Sequence, residues 1–197
     1  MNDAASHRTP IKDLKSICHL TALENLESIL ANGLLSRRKI SRFHDVADQE
    51  IIGKRQRFGL DEYVPFHFFP KNPFDWRVQH DHPEKDFVII RVSRAIAKAN
   101  SFKIIPVHPL SGTPSLLDYK EGFNQINWAL MERRDYHDDV CKQVCLGECL
   151  QKDRVDPSHF QAILVKTEEA QKQVSALKAK YRLSFYVNLE PRSFNHD

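Results

Sequence analysis

The chain is predicted to fold as an α+β domain around a compact, mostly antiparallel sheet, and three observations carry that expectation. Short β-type runs occupy residues 63–69, 87–92 and 161–165. Segments with helical periodicity lie around them, over residues 21–32 and 167–180. The two kinds of segment mix without strict alternation, as in α+β proteins.

The 197 residues, 41% of them hydrophobic and 28% charged, have the composition of a globular protein and suffice for one domain, residues 1–197, with a sizeable core. No apolar run approaches the roughly 20 residues of a membrane span. The first eight residues lack the hydrophobic segment of a secretory signal, so a cytoplasmic protein with no membrane partner is expected.

Residues 16–19 read as a short strand. Thr21 is expected to cap a helix, with Glu24 completing a capping box. Leu23, Leu26, Ile29 and Leu30 form the apolar face of that helix, and Gly33 ends it. Residues 35–60 are polar and cationic, with a second helix expected around Gln49 to Arg57. The next stretch, Asp61-Glu62-Tyr63-Val64-Pro65-Phe66-His67-Phe68-Phe69-Pro70-Lys71-Asn72-Pro73, places four aromatics within seven positions. As a strand it points Val64, Phe66 and Phe68 one way and Tyr63, Pro65, His67 and Phe69 the other. The prolines stop it at a rim, so it suits the floor of a cleft. Residues 70–85 then read as a loop and 87–92 as a buried strand. Ser93 caps a short helix through Ala99, residues 102–107 form a strand, and residues 124–134 read as one helix. A strand over 161–165, a helix opened by Thr167 and running to about Lys180, and a strand at 185–187 close the set.

Two side-chain patterns bear on chemistry. His137, Cys141, Cys145 and Cys149 recur every fourth residue, a single stripe if helical. Its ends would lie about 18 Å apart at a rise of ~1.5 Å per residue, too far for one zinc ion with ~2.0–2.3 Å bonds. No metal is expected, and the four cysteines read as buried thiols in a reducing compartment. The net charge is only +3, but cations gather at Arg37, Arg38, Lys39 and Arg42 and again at Lys54, Arg55 and Arg57. Such a run is a solvated surface or a track for a phosphate backbone.

Taken in order, several segments resemble the DarT family of DNA ADP-ribosyltransferase toxins. A strand-end histidine, a helix and a glycine are matched by His19 and Asn25-Leu26-Glu27-Ser28-Ile29-Leu30-Ala31-Asn32-Gly33-Leu34. An arginine-bearing helix is matched by Gln49-Glu50-Ile51-Ile52-Gly53-Lys54-Arg55. The aromatic strand with its Pro-x-x-Pro sequel is matched by residues 63–73, and a Gln-Leu-Asp-Trp helix by Gln125-Ile126-Asn127-Trp128. Glu148 stands at the family's glutamate, ahead of two closing strands. The chain departs from the pattern at Ala22, where a second histidine is usual, at His67 in place of an aromatic, and at Gly147 before the glutamate.

The resemblance implies an ADP-ribosyltransferase-like fold that uses NAD as substrate and no metal. It also implies a base in single-stranded DNA as acceptor, thymine first and guanine second, and a macrodomain ADP-ribosylhydrolase antitoxin of the DarG type. Cleaving the nicotinamide–ribose bond develops positive charge on the sugar. A carboxylate beside that sugar stabilises the charge, and Glu148 is the candidate. Arg55 is the candidate for clamping the pyrophosphate or orienting the base, with Lys54 and Arg57 as alternatives in register. His19 is placed at the ribose or adenosine with Asn25 supporting its loop, both as cofactor-binding residues. Tyr63, Phe66 and His67 are placed along the cofactor-binding strand, with Phe66 or a neighbour as the stacking surface for nicotinamide. Arg37, Arg38, Lys39, Arg42, Lys54 and Arg57 would follow the nucleic-acid backbone. Rival readings are the same fold acting on RNA or protein, an RNA 2′-phosphotransferase, a non-catalytic single-strand-binding module, and a nuclease built on His80 and His82.

Overall fold

The computed structural model describes residues 8–40 and 49–195, and the apolar runs 87–90 and 162–165 lie in the two central strands of one sheet. In chain order the strands are β1 (Ser16–Ala22), β2 (Leu34–Leu35), β3 (Tyr63–Phe66), β4 (Phe87–Ser93), β5 (Lys103–Ile105), β6 (Leu117–Asp118), β7 (Glu148–Lys152), β8 (Arg154–Val155), β9 (Phe160–Val165) and β10 (Tyr186–Leu189). The helices are α1 (Leu26–Asn32), α2 (Gln49–Arg57), α3 (Pro73–Asp81), α4 (Arg94–Ala99), α5 (Tyr119–Gln125), α6 (Trp128–Arg133), α7 (Asp139–Cys145) and α8 (Glu168–Lys180). One four-stranded sheet has the order β1-β4-β9-β10, a second has β3-β7-β5-β6, and β2 pairs with β8. All pairings are antiparallel except β9 with β10. The α+β class and the mostly antiparallel sheet are as the sequence predicts.

Strand β4 is apolar almost throughout because both of its faces are covered. Val88, Ile90 and Val92 enter the main core with Ile17, Ile163 and Val165. Phe87 and Ile89 face the other way, with Cys18, Leu20, Leu164, Phe194 and Val78 of α3. That second layer explains the largest correction to the sequence reading. Residues 70–85 are not a loop: Asn72 caps α3, its side chain accepting from the N–H groups of Phe74 and Asp75, and Pro73 occupies the first turn. The proline that reads as a strand stop is also a helix start.

Other differences have similar local causes. Thr21 does not cap a helix but pairs with Val88 inside β1, and its hydroxyl accepts from the Asn25 side chain at 3.4 Å. The capping box is absent, and a 3-10 turn over Leu23–Asn25 leads into α1. Gly33 ends α1 as expected, at φ 90°, where a β-carbon would meet the Arg154 side chain at 2.2 Å. The segment read as one helix over 124–134 is two, because Asn127 starts α6 by accepting from Leu130 N–H. The cysteine stripe breaks as well: α7 ends at Cys145 and Cys149 lies on β7. Among the described residues no cluster of His, Cys, Asp and Glu could hold a metal ion.

Asp75 sits on α3 at 2% exposure, where burial pushes its carboxyl up to about 7 against the pull of the Asn72 side chain and the Lys71 backbone. Its folded pKa thus exceeds the ordinary ~3.9. Between these values the folded state holds the extra proton, so this group's contribution to stability falls as pH rises toward 7. His19 gives the opposite slope, since burial pulls it down to about 4 from 6.5. Asp75→Asn mimics the protonated acid. Its stability advantage over wild type is expected to grow by about 2–3 kcal/mol from pH 5 to pH 8. Urea midpoints of the two proteins at both pH values check this; a constant difference would mean that Asp75 ionises freely.

Candidate active site

The end of β1, the start of α1, the edge of β3, helix α2 and the first residue of β7 surround a cavity of about 530 Å³. Glu148 opens β7, where it pairs with Ile105 and is 5% exposed. From α2, Arg55 reaches into the cavity and grips it by two nitrogens. Nη1 donates to Oε1 at 2.7 Å and to Oε2 at 3.0 Å, and Nη2 donates to Oε2 at 3.1 Å. This fork fixes the plane of the carboxylate as well as its position. Lys54 and Arg57, the alternatives in register, are exposed on α2 and line no part of the cavity.

His19 stands opposite, on β1. Its Nδ1 lies 2.7 Å from the Pro65 carbonyl, which can only accept, so Nδ1 carries the proton. With burial holding its pKa near 4, the ring is neutral around pH 7. Asn25, Tyr63 and His67 also line the cavity. Phe66 does not: it is 0% exposed, with its ring centroid 5.6 Å from His19 and 6.0 Å from Phe102. It backs the wall and offers no free face for stacking. The expected alternation along residues 63–69 lapses because β3 ends at Phe66, and both Phe68 and Phe69 are buried in the main core.

The cationic run divides. Arg37 lines the cavity. Arg38 turns to Asp61, with bonds of 3.0 and 3.1 Å, and to Glu62, while Lys39 lies 3.5 Å from Asp153. These two are neutralised by acids rather than aimed into the site. Arg42 lies outside the described residues.

His108 lines the cavity without having been singled out in the sequence. It sits just past β5, where burial lowers its pKa against the attraction of Glu148. Its signal is weak: a histidine between prolines, in Pro106-Val107-His108-Pro109, marks a turn and nothing more. Phe74 lines the cavity too and was hidden by the loop assignment of α3. The result is a largely apolar chamber in which Arg55 orients the Glu148 carboxylate, with weakly basic imidazoles around it. Such a group can accept a hydrogen bond from a sugar hydroxyl and stabilise adjacent positive charge.

Residues 18–195 match the sequence profile of a family described as "ssDNA thymidine ADP-ribosyltransferase, DarT". A DNA ADP-ribosyl transferase–DNA ADP-ribosyl glycohydrolase fusion protein of Thermosipho africanus is 29% identical over 169 residues, covering 79% of this chain and 43% of the relative. The chain therefore spans less than half the length of that relative. Among solved structures, Thermus sp. 2.9 DarT in complex with ADP-ribosylated ssDNA superposes with a TM-score of 0.79 at 18% identity, covering 92% of this chain and 96% of that one. Thermosipho africanus DarTG in complex with ADP-ribose gives a TM-score of 0.72 at 25% identity, covering 92% and 51%.

Proposed function

This chain belongs to the DarT family, and from that premise we propose that it transfers ADP-ribose from NAD to a base of single-stranded DNA, thymine first and guanine second. The observation that carries the reading is the bidentate Arg55–Glu148 pair on the cavity wall. Residues 1–197 act as a single transferase domain in the cytoplasm, and no helix among the described residues is long and apolar enough to cross a membrane.

NAD is consumed as substrate and supplies the ADP-ribosyl group. A cavity of about 530 Å³ is of the size that takes such ligands, ~300–1,000 Å³. Its apolar lining, including Leu20, Ile29 and Leu146, suits a flat aromatic ring, and His19 and Asn25 offer polar edges for a ribose. Glu148 accepts a hydrogen bond from a ribose hydroxyl and stabilises the positive charge that develops as nicotinamide leaves. Arg55 orients Glu148 through the bidentate pair, and its guanidinium is the group nearest to hand for a phosphate or the acceptor base. Tyr63 and His67 shape the wall between them. Arg37, on the cavity lining, leads the DNA backbone toward the site, and Lys54 and Arg57, exposed on α2, follow it together with Arg42; Arg38 and Lys39 are engaged by Asp61, Glu62 and Asp153.

A base buried in a duplex stack must first be extruded, whereas an unpaired strand presents it at once. Modified template bases would block replication, so a macrodomain ADP-ribosylhydrolase of the DarG type is the proposed partner. The Thermosipho relative, which joins transferase and glycohydrolase in one chain, supports that pairing.

Labelled NAD incubated with single-stranded DNA, duplex DNA, RNA and protein tests the reading. Label is expected on single-stranded DNA, with affinity for the strand falling as salt rises. Label confined to RNA or protein would replace the acceptor, and retarded strands without label would leave a binding module. Arg55→Ala is expected to reduce transfer by about 10²-fold, since the glutamate loses its orientation. Unchanged kinetics would shift the role to Lys54 or Arg57.

A further inference from the structure

The β3–β7 ladder stops at the pair Phe66 with Cys149. In the same register the next pair would join His67 to Glu148, and that rung is missing. The backbone of His67 turns instead to the other sheet, exchanging N–H···O bonds of 2.8 Å in each direction with Cys18. Its side chain takes the place of the rung. Nδ1 lies 3.3 Å from the Gly147 carbonyl, so the proton must sit on Nδ1 and the bond is donated to the residue just before Glu148.

Gly147 is held on its other side as well. A β-carbon there would lie 2.8 Å from the Pro106 carbonyl, so this peptide is wedged against the end of β5. Its N–H bonds to the Val144 carbonyl at the close of α7. The imidazole, 6% exposed, is itself braced by Phe74 at a centroid distance of 5.6 Å. The β3–β7 rung is lost at Glu148, whose backbone still pairs with Ile105 of β5, so on the side toward β3 the Gly147 carbonyl is the neighbouring backbone group that His67 holds.

We infer that His67 is a positioning residue: by donating from Nδ1 to the Gly147 carbonyl it replaces the absent β3–β7 rung and fixes the Glu148 carboxylate on Arg55. This rests on the transferase reading for its consequence in turnover, though not for the hydrogen bond itself. An aromatic hydrocarbon ring at this position would fill the same space and brace Phe74 but could not donate. The Asn side chain places an N–H near the position of Nδ1, whereas Gln places it near Nε2, beyond reach of Gly147.

The test compares kcat and KM for NAD in wild type and in His67→Phe, His67→Asn and His67→Gln. His67→Phe and His67→Gln are expected to lower kcat on the order of tenfold or more, with KM for NAD changed by less than about threefold. His67→Asn is expected to restore most of kcat. Equal kcat in the Asn and Gln variants would overturn the inference, even if the Phe variant failed to fold. A long-range 1H–15N correlation spectrum of the wild-type imidazole reads the tautomer without turnover. A neutral ring protonated at Nδ1 is expected, and one protonated at Nε2 would overturn the inference. A wild-type chain that transfers nothing would sink the functional reading, while the spectrum still decided the bond to Gly147.

Discussion

Glu148→Gln is expected to reduce ADP-ribosyl transfer by about 10²–10³-fold or more while the chain still folds. Glutamine keeps the volume and one acceptor for Arg55 but removes the charge that meets the developing positive charge on the sugar. Breaking a fully buried ion pair costs about 3–5 kcal/mol. The cost here should be smaller, about 1–2 kcal/mol, because Arg55 lines the cavity at 15% side-chain exposure and can turn to water. Transfer assays beside a thermal melt separate the two effects. A folded variant with full activity would require another acid. Among the described residues the cavity's other carboxylates, Glu24 and Asp61, are paired with Lys85 and Arg38 respectively. Glu132 and Asp153 line no part of it; Glu132 accepts from the Ile11 N–H at 2.5 Å.

The largest effect on stability is expected at Arg94, 8% exposed at the start of α4. Its guanidinium donates to the carbonyls of Lys12 at 2.8 Å, Ile11 at 2.9 Å, Phe68 at 3.1 Å and Ser16 at 3.3 Å. It also lies 5.5 Å from the ring centroids of Phe68 and Trp128 and 5.8 Å from that of Phe123. One side chain thereby ties the 3-10 turn at Ile11–Asp13, the start of β1, the segment after β3 and the start of α6. Arg94→Met fills much of the space and leaves those carbonyls without their donor. Each abandoned buried group costs about 1–3 kcal/mol, so a loss of about 3–5 kcal/mol is expected after some relaxation. Against a total of about 5–15 kcal/mol, that approaches the limit of folding. Urea denaturation measures it, and a loss below about 1 kcal/mol would show that water replaces the guanidinium.

Legibility in the sequence followed the range of the forces involved. Ser93 and Thr167 cap α4 and α8 as read, because a cap depends on a hydroxyl and an N–H two or three residues away. Thr21 failed by the same rule, since pairing with β4 over sixty residues later in the chain outweighs a local cap. Asn72-Pro73 carried a valid helix start, obscured by the strand-ending sense of proline. Arg55 and Glu148 could be nominated singly, but nothing in the spacing of residues 93 apart announces a bidentate bond. Phe66 was misplaced on the cleft because alternation tells which residues share a face and not which face is wet. The role of Arg94 was invisible, as its partners are backbone carbonyls that every sequence possesses.

The two four-stranded sheets share one isolated backbone bridge among the described residues, between Cys18 and His67. A joint made of two hydrogen bonds can be timed. Deuterium uptake at the amides of Cys18 and His67 records how often the floor of the cleft parts, and uptake at Ile89 and Ile90 in central β4 records global opening. If the sheets separate as a local breathing motion, the first pair exchanges well before the second. If both exchange together, the joint opens only when the molecule unfolds, and the cleft floor is as durable as the core beneath it.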